Sequence, residues 1–269
     1  MEINFDSHEL IGYCFDSKAK DLYLNYWIGQ FGIYKNPEKG RFLTLDVFET
    51  LFLAENNFKI YLDGKTSNFN EILEIAKKKV ENIEAAYEVY KDWRSKGYIL
   101  KTGFKFGTHF RIYFPGASPA KKGKEWQHSK HVLHIFYKDV SLPMNEWARA
   151  VRVAHGVRKT FITAIPGMKK EDYMKEETPI DFVVYHRNEK NEVESPINSD
   201  PSYILITLHE DDKLSGKILA SALDLADSIG LKLLIAIVDR ETSVTYYVAH
   251  RIELPGSENR YYEIDWFNP

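Results

Sequence analysis

Tyr113, His128 and Lys159 are three side chains whose types could together cut RNA without a metal. RNA carries its own nucleophile, the 2′-hydroxyl. Cleavage then needs a base for that proton, an acid for the departing 5′-oxygen and a positive charge to hold the phosphorane. Tyrosine is a weak base at its ordinary pKa of about 10, but a nearby cation lowers that value, and Lys159 is the cation proposed. Histidine as a residue type, with an ordinary pKa near neutrality, suits the acid, and His128 is the candidate. Lys159 could also stabilise the phosphorane. All three lie in residues 101–170, which hold 14 Lys and Arg against 3 Asp and Glu, a balance of +11 in a chain that sums to −3. Residues 171–269 have 9 basic and 20 acidic side chains, a balance of −11. A field of this kind draws a polyanion to the middle of the chain and repels it from the last third.

Each of these residues also has a plainer reading. Tyr113 fits an amphipathic strand, His128 a surface loop, and Lys159 follows Arg158 at a helix end, where basic residues favour the dipole. The trio is one selection among 17 tyrosines and 9 histidines. His128, His131 and His134 suggest a metal site, but strand positions three apart face opposite sides, and no nearby carboxylate or cysteine completes a ligand set. No metal or cofactor is expected. Lys121, Lys122 and Lys124 lie in a loop that borders any site formed by Tyr113 and His128. Arg152 is two helical turns before Lys159 on the same face, free to meet a phosphate or a base.

The elements that must position these groups read as α+β. A helix is expected from Leu43 with Thr44 as N-cap, then a strand from Asn57 to a turn at Gly64, and helices over Phe69–Val80 and Asn82–Lys96 ending at Gly97. The pattern switches to period two for strands over Tyr98–Thr102, Phe104–Phe106 and His109–Phe114, separated by Gly103 and Gly107. Then follow a strand (His131–Tyr137), a helix (Met144–His155), a strand (Thr160–Ile165), a polar connector at 166–179, a strand (Phe182–His186) and a polar linker at 188–201. The aromatic tail Tyr261–Phe267 reads as an extra strand. Cys14 is the only cysteine, which excludes an internal disulfide and a cysteine zinc site. The start lacks a signal-peptide pattern and the longest apolar run, Leu233–Val238, is too short for a bilayer, so a cytoplasmic protein is expected.

Strand, helix and strand recur in that order at 203–238. Aligning Ala164 with Ala236 sets Leu231 opposite Lys159, and aligning the first strands sets Ser199 opposite His128. The second copy thus lacks amine and imidazole. The expected domains are an N-terminal α/β domain (1–82), a catalytic domain (83–187), the linker (188–201) and a degenerate structural copy (202–269).

The stretch Tyr87–Tyr113, with His128-Ser-Lys and Arg149-Ala-Val-Arg-Val-Ala-His-Gly-Val-Arg-Lys159, resembles the archaeal tRNA-splicing endonucleases, and Leu43–Asn57 is similar to their N-terminal domain. The resemblance implies a triad on Tyr113, His128 and Lys159. It implies cleavage of precursor tRNA at bulge–helix–bulge elements, leaving a 2′,3′-cyclic phosphate and a 5′-hydroxyl. Base-clamping arginines would fall on Arg152 and Arg187. The family's acidic docking loop resembles Val238–Tyr247, with Asp239 and Glu241 as its acids, and implies a homodimer. In two-repeat members the structural copy comes first. The reverse order here looks more like fused endonucleases of broad specificity, and the lysines at 121, 122 and 124 could relax substrate choice. The rival readings are a non-catalytic RNA-binding or structural subunit, a metal-dependent nuclease, for which Glu125, Asp139 and Glu146 are unsuitably spread, and a protein-binding domain that uses its acidic half.

Overall fold

A computed structural model describes residues 1–33, 39–120, 126–173, 178–186, 192 and 194–268. The chain divides into two compact units: Met1–Leu100 with Ile112–Ser129, and Lys101–Arg111 with Lys130–Pro269. The architecture is α+β, with seven α-helices among the described residues.

The first unit opens with β1 (Glu2–Asp6), β2 (Ile11–Cys14), α1 (Ala19–Tyr26), β3 (Gln30–Phe31), β4 (Leu43–Leu45), α2 (Val47–Glu55), β5 (Lys59–Leu62), β6 (Lys65–Ser67), α3 (Phe69–Lys77) and α4 (Ile83–Ser95). Its sheet runs β3-β4-β2-β1-β5-β6, with β1 and β5 parallel. Leu43–Leu45 is strand, so the helix starts later than its apolar spacing predicts, and the N-cap is Asp46 rather than Thr44. Asp46 accepts from the Glu49 N–H at 2.8 Å and Glu49 accepts from the Asp46 N–H at 3.1 Å, a reciprocal capping box. Thr44 instead donates its hydroxyl to the Gln30 carbonyl at 3.1 Å. The predicted inward residues Ile83, Ala86, Tyr90 and Trp93 of α4 are buried, and Gly97 follows at φ +85°.

The remaining elements are β7 (Ile99–Thr102), β8 (Phe110–Tyr113), β9 (His131–Ile135), β10 (Ser141–Pro143), α5 (Met144–Gly156), β11 (Thr160–Ile165), α6 (Lys170–Tyr173), β12 (Phe182–Val184), β13 (Tyr203–His209), β14 (Lys213–Ser215), α7 (Gly216–Ser228), β15 (Lys232–Val238), β16 (Val244–Ile252) and β17 (Arg260–Phe267). The larger sheet runs β12-β13-β15-β16-β17-β11-β9-β8-β7. Phe104–Phe106 is a 3-10 turn, not the expected strand. Gly107 is left-handed at φ +65°, and a Cβ on Gly103 would stand 2.4 Å from the Thr108 hydroxyl, so the chain folds back too tightly for extended pairing. The connector at 166–179 contains α6, whose Tyr173 is buried.

In the second unit β9 and β11 are parallel with His131 beside Thr160, and β13 and β15 are parallel with Tyr203 beside Lys232. Both registers are related by one shift of 72 residues (131 to 203, 160 to 232), which also carries β10 onto β14 and α5 onto α7. That shift puts Asp200, not Ser199, opposite His128, and keeps Leu231 opposite Lys159. The two helices are capped from each other's set. The Met144 and Asn145 N–H groups donate to the Asp212 and Glu210 carbonyls at 3.0 and 2.8 Å, and the Lys217 N–H donates to the Lys138 carbonyl at 3.3 Å. Pro143, the N-cap of α5, makes no side-chain cap hydrogen bond, so the facing loop satisfies two first-turn donors instead.

The aromatic tail is β17, a central strand between β16 and β11. Tyr262 and Ile264 enter the core with Trp147, Phe161 and Tyr247, and the Trp147 ring meets Tyr247 edge-on at 5.3 Å. Among the described residues, no helix is long and apolar enough to cross a membrane.

Candidate active site

Tyr113 ends β8 and is 5% exposed. Its ring lies 4.5 Å from that of Trp27, tilted by 48°. His128 is exposed, between Gln127 and the buried Ser129. Gln127 accepts from the Ser118 N–H at 2.9 Å, which ties the approach to His128 back to the loop that follows β8. Tyr113 and His128 belong to the first unit and Lys159 to the second.

Lys159 is placed by the end of α5. Its N–H donates back to the Ala154 carbonyl at 2.9 Å, and Arg158 before it is left-handed at φ +55°. At the matching end of α7, the Leu231 N–H donates to the Ala226 carbonyl at 2.9 Å and the left-handed residue is Gly230. Glycine holds that conformation without strain, whereas arginine does not. The Lys159 amine sits 5.6 Å from the centre of the Phe106 ring. Burial, then Arg111 and Lys130, push its pKa down.

Arg111 and Lys130 are the residues that sequence reasoning passed over. Thr160 pairs with His131 and its N–H donates to the Lys130 carbonyl at 3.2 Å, so Lys130 and Lys159 stand side by side at the heads of parallel strands. Such strands lie about 4.8 Å apart, and like charges placed abreast repel. Arg111 is held by its Nε donating to the Thr102 carbonyl at 2.8 Å. A cluster of this kind is stabilised by a bound anion. The signal in sequence was only the density of basic residues, because strand partnership is not local.

Residues 83–175 match the model for the tRNA intron endonuclease catalytic C-terminal domain, a span that includes Tyr113, His128, Lys159, Arg111 and Lys130. Over 128 residues, 47% of this chain, the sequence is 37% identical to a tRNA-splicing endonuclease of Pyrococcus furiosus and covers 70% of it. The chain belongs to the archaeal tRNA-splicing endonuclease family. A tRNA-splicing endonuclease of Methanopyrus kandleri is 34% identical over 157 residues, 56% of this chain and 79% of that one. One from Hyperthermus butylicus is 30% identical over 172 residues, 62% and 87% of the two chains.

For this family member the other expected site residues divide. Arg152 is exposed on α5, close enough to the Tyr247 hydroxyl to oppose the rise that burial imposes on that phenol. Arg187, Lys121, Lys122 and Lys124 lie outside the described residues. Asp239 and Glu241 sit in the turn from β15 to β16, with different roles. Asp239 accepts from the Glu241 and Ser243 N–H groups, both at 2.9 Å, and so builds the turn. Glu241 is exposed at its tip, and Arg240 between them is drawn to Asp211 at 2.9 Å.

No group of three or more His, Cys, Asp or Glu residues able to hold a metal ion occurs among the described residues. His134 instead packs edge-on against His109, ring centres 4.8 Å apart, and lines a cavity of about 560 Å³ with Phe104, Phe106, Glu146 and Arg149. His109 Nδ1 accepts from the Ile135 N–H at 3.0 Å. Burial brings the His109 pKa down to about 3, with help from His134, and that of His134 to about 4. Both rings are therefore neutral in the folded chain, while an unfolded histidine protonates near pH 6.5. The unfolded state takes up more protons below that pH. The stability tied to the pair is complete above about pH 6.5 and is lost as the pH falls towards about 4. Between about pH 7 and pH 5 each histidine should cost on the order of 1–2 kcal/mol. Urea melts of wild type and His134→Phe should show a steeper pH slope for wild type, and equal slopes would remove His134 from this account.

Proposed function

We propose that this chain cuts precursor tRNA at bulge–helix–bulge intron junctions by metal-independent attack of the 2′-hydroxyl, leaving a 2′,3′-cyclic phosphate and a 5′-hydroxyl. The observation that carries this reading is Lys159 beside Lys130 and Arg111, inside the segment matched to the catalytic domain. In this reading Tyr113 takes the 2′-hydroxyl proton, the oxygen attacks the adjacent phosphorus, and His128 gives a proton to the departing 5′-oxygen. Lys159 neutralises the phosphorane. Convergence of the three on one phosphate is part of the proposal. So are the clamping of bulge bases by Arg152 and Arg187 and the phosphate contacts of the loop lysines.

The domains proposed are 1–82, a catalytic 83–187, a linker at 188–201 and a structural copy at 202–269. The shared 72-residue shift supports a duplication. The +11 and −11 segments support a homodimer in which an acidic turn meets a basic face, with Glu241 as the outward acid and Asp239 holding the turn. Replacing Asp239 and Glu241 together with lysine should convert a sedimenting dimer to monomer at moderate salt, and an unchanged dimer would remove the turn from the interface.

The deciding experiment is cleavage of an end-labelled bulge–helix–bulge precursor in excess EDTA, with wild type beside His128→Ala. Cleavage with a cyclic phosphate end is expected, with a loss of about 10²–10⁴ in the variant, the usual worth of a general acid. A requirement for divalent metal, or an active variant, would refute the mechanism. RNA binding without cleavage would favour a non-catalytic subunit.

A further inference from the structure

We propose that helix α1 is a positioning platform for the catalytic groups of the first unit, with Trp27 as the residue that orients Tyr113. The inference rests on the catalytic reading above and deepens it. Three observations within that unit meet at the C-terminal end of α1. Trp27, the C-cap, is left-handed at φ +46° and ψ +46°, and is only 8% exposed. A bulky side chain avoids this conformation, because its Cβ crowds the carbonyl, and keeps it only where its surroundings compel it. Here the conformation delivers the indole to the Tyr113 ring at 4.5 Å. Secondly, Arg94 of α4 donates to the Tyr26 carbonyl at 2.9 Å and to the Tyr98 carbonyl at 3.3 Å, which clamps the end of the helix where Trp27 leaves it. Thirdly, the Ser118 hydroxyl donates to the Leu24 carbonyl at 3.4 Å, while the Ser118 N–H is held by Gln127, the neighbour of His128.

One helix end thus touches the ring of the proposed base and, through Ser118 and Gln127, the chain entering the proposed acid. The indole acts in this role through its ring contact. It restricts the ring torsions of Tyr113 by packing, so that the hydroxyl is presented in one direction. Orientation of this kind is worth about 10²-fold for an ångström of misplacement. The same account separates Trp27 from an ordinary core residue. A core residue supports folding whatever stands at position 113, whereas a positioning residue matters only while the Tyr113 hydroxyl is there to be aimed.

The test is a double-mutant cycle in the full chain, read as single-turnover cleavage of a bulge–helix–bulge RNA and as the Kd for that RNA. Trp27→Leu, which keeps apolar volume, should slow cleavage by about 30-fold with Kd changed by less than about twofold, and Trp27→Phe should restore most of the rate. In a Tyr113→Phe background, whose ring still packs, Trp27→Leu should cost nothing further. Ser118→Ala, which leaves the core intact, should slow cleavage by about threefold and keeps the platform testable if Trp27→Leu melts without cooperativity. Equal losses in both backgrounds, a folded Trp27→Leu at wild-type rate, or a wild-type rate in Ser118→Ala when Trp27→Leu does not fold would overturn the inference. Failure of the catalytic reading looks different: wild type does not cleave, or Tyr113→Phe cleaves as fast as wild type.

Discussion

Lys159→Ala is expected to lower the single-turnover rate of precursor cleavage by about 10³-fold, the scale of removing a charge aimed at a developing oxyanion. The fold should survive, because Lys159 lies at a helix end and its backbone N–H, not its side chain, closes the turn onto Ala154. Affinity should change little. Arg111 and Lys130 remain beside the vacated position, so the slope of log K against log salt should become shallower by only about one charge. Lys159→Arg should recover a minority of the rate, since a planar guanidinium cannot place its charge where a compact ammonium does. The pair of measurements separates roles. A large loss in rate at unchanged Kd assigns the amine to the transition state, whereas a matching loss in Kd makes it one more phosphate contact. A Lys159→Ala rate within tenfold of wild type would move the charge-stabilising role to Arg111 or Lys130.

The second large effect is on stability. Ile264→Asp should destabilise the second unit by more than about 4 kcal/mol and abolish its cooperative unfolding. Ile264 has no exposed surface and stands in β17 between Phe161 of β11 and Ala249 of β16. Its carbonyl accepts from His155 Nε2 at 3.1 Å, so the same strand position also steadies the last turn of α5 just before Lys159. A carboxylate there would be shut away from solvent, and the two flanking strands would lose their shared partner. Ile264→Val should cost only about 1 kcal/mol. Denaturant melts of the three proteins check this, and a native-like melt for Ile264→Asp would show that β17 is dispensable. The strand furthest along the chain is in this sense part of the fold of the first repeat set, since it pairs with β11 as β16 pairs with β15.

Which features were legible in sequence follows from the range of the forces behind them. The apolar spacing of Ile83, Ala86, Tyr90 and Trp93 marks α4, and the run Thr160–Ile165 marks β11 residue for residue, because periodicity and turn residues act within a few positions. Residues 104–106 mislead because alternation alone cannot distinguish a strand from a short turn whose geometry is set by Thr108 against Gly103. Thr44 misleads because the strand it joins is completed by β2 and β3. The tail is legible as a strand, but its central place is not. Local pattern says that a segment pairs, and only the edges left open by the rest of the sheet say with what.

The site divides in the same way. Composition alone located the basic segment, and the residue types of Tyr113, His128 and Lys159 alone defined a possible chemistry, because charge and functional groups belong to the sequence itself. The tertiary structure decided that Lys130 and Arg111 stand beside Lys159, that Trp27 packs on Tyr113, and that His134 packs against His109 in a buried neutral pair. Each of these depends on strands and helices far apart in the chain becoming neighbours, a choice made by the total apolar area buried and the backbone hydrogen bonds completed rather than by any short stretch of residues.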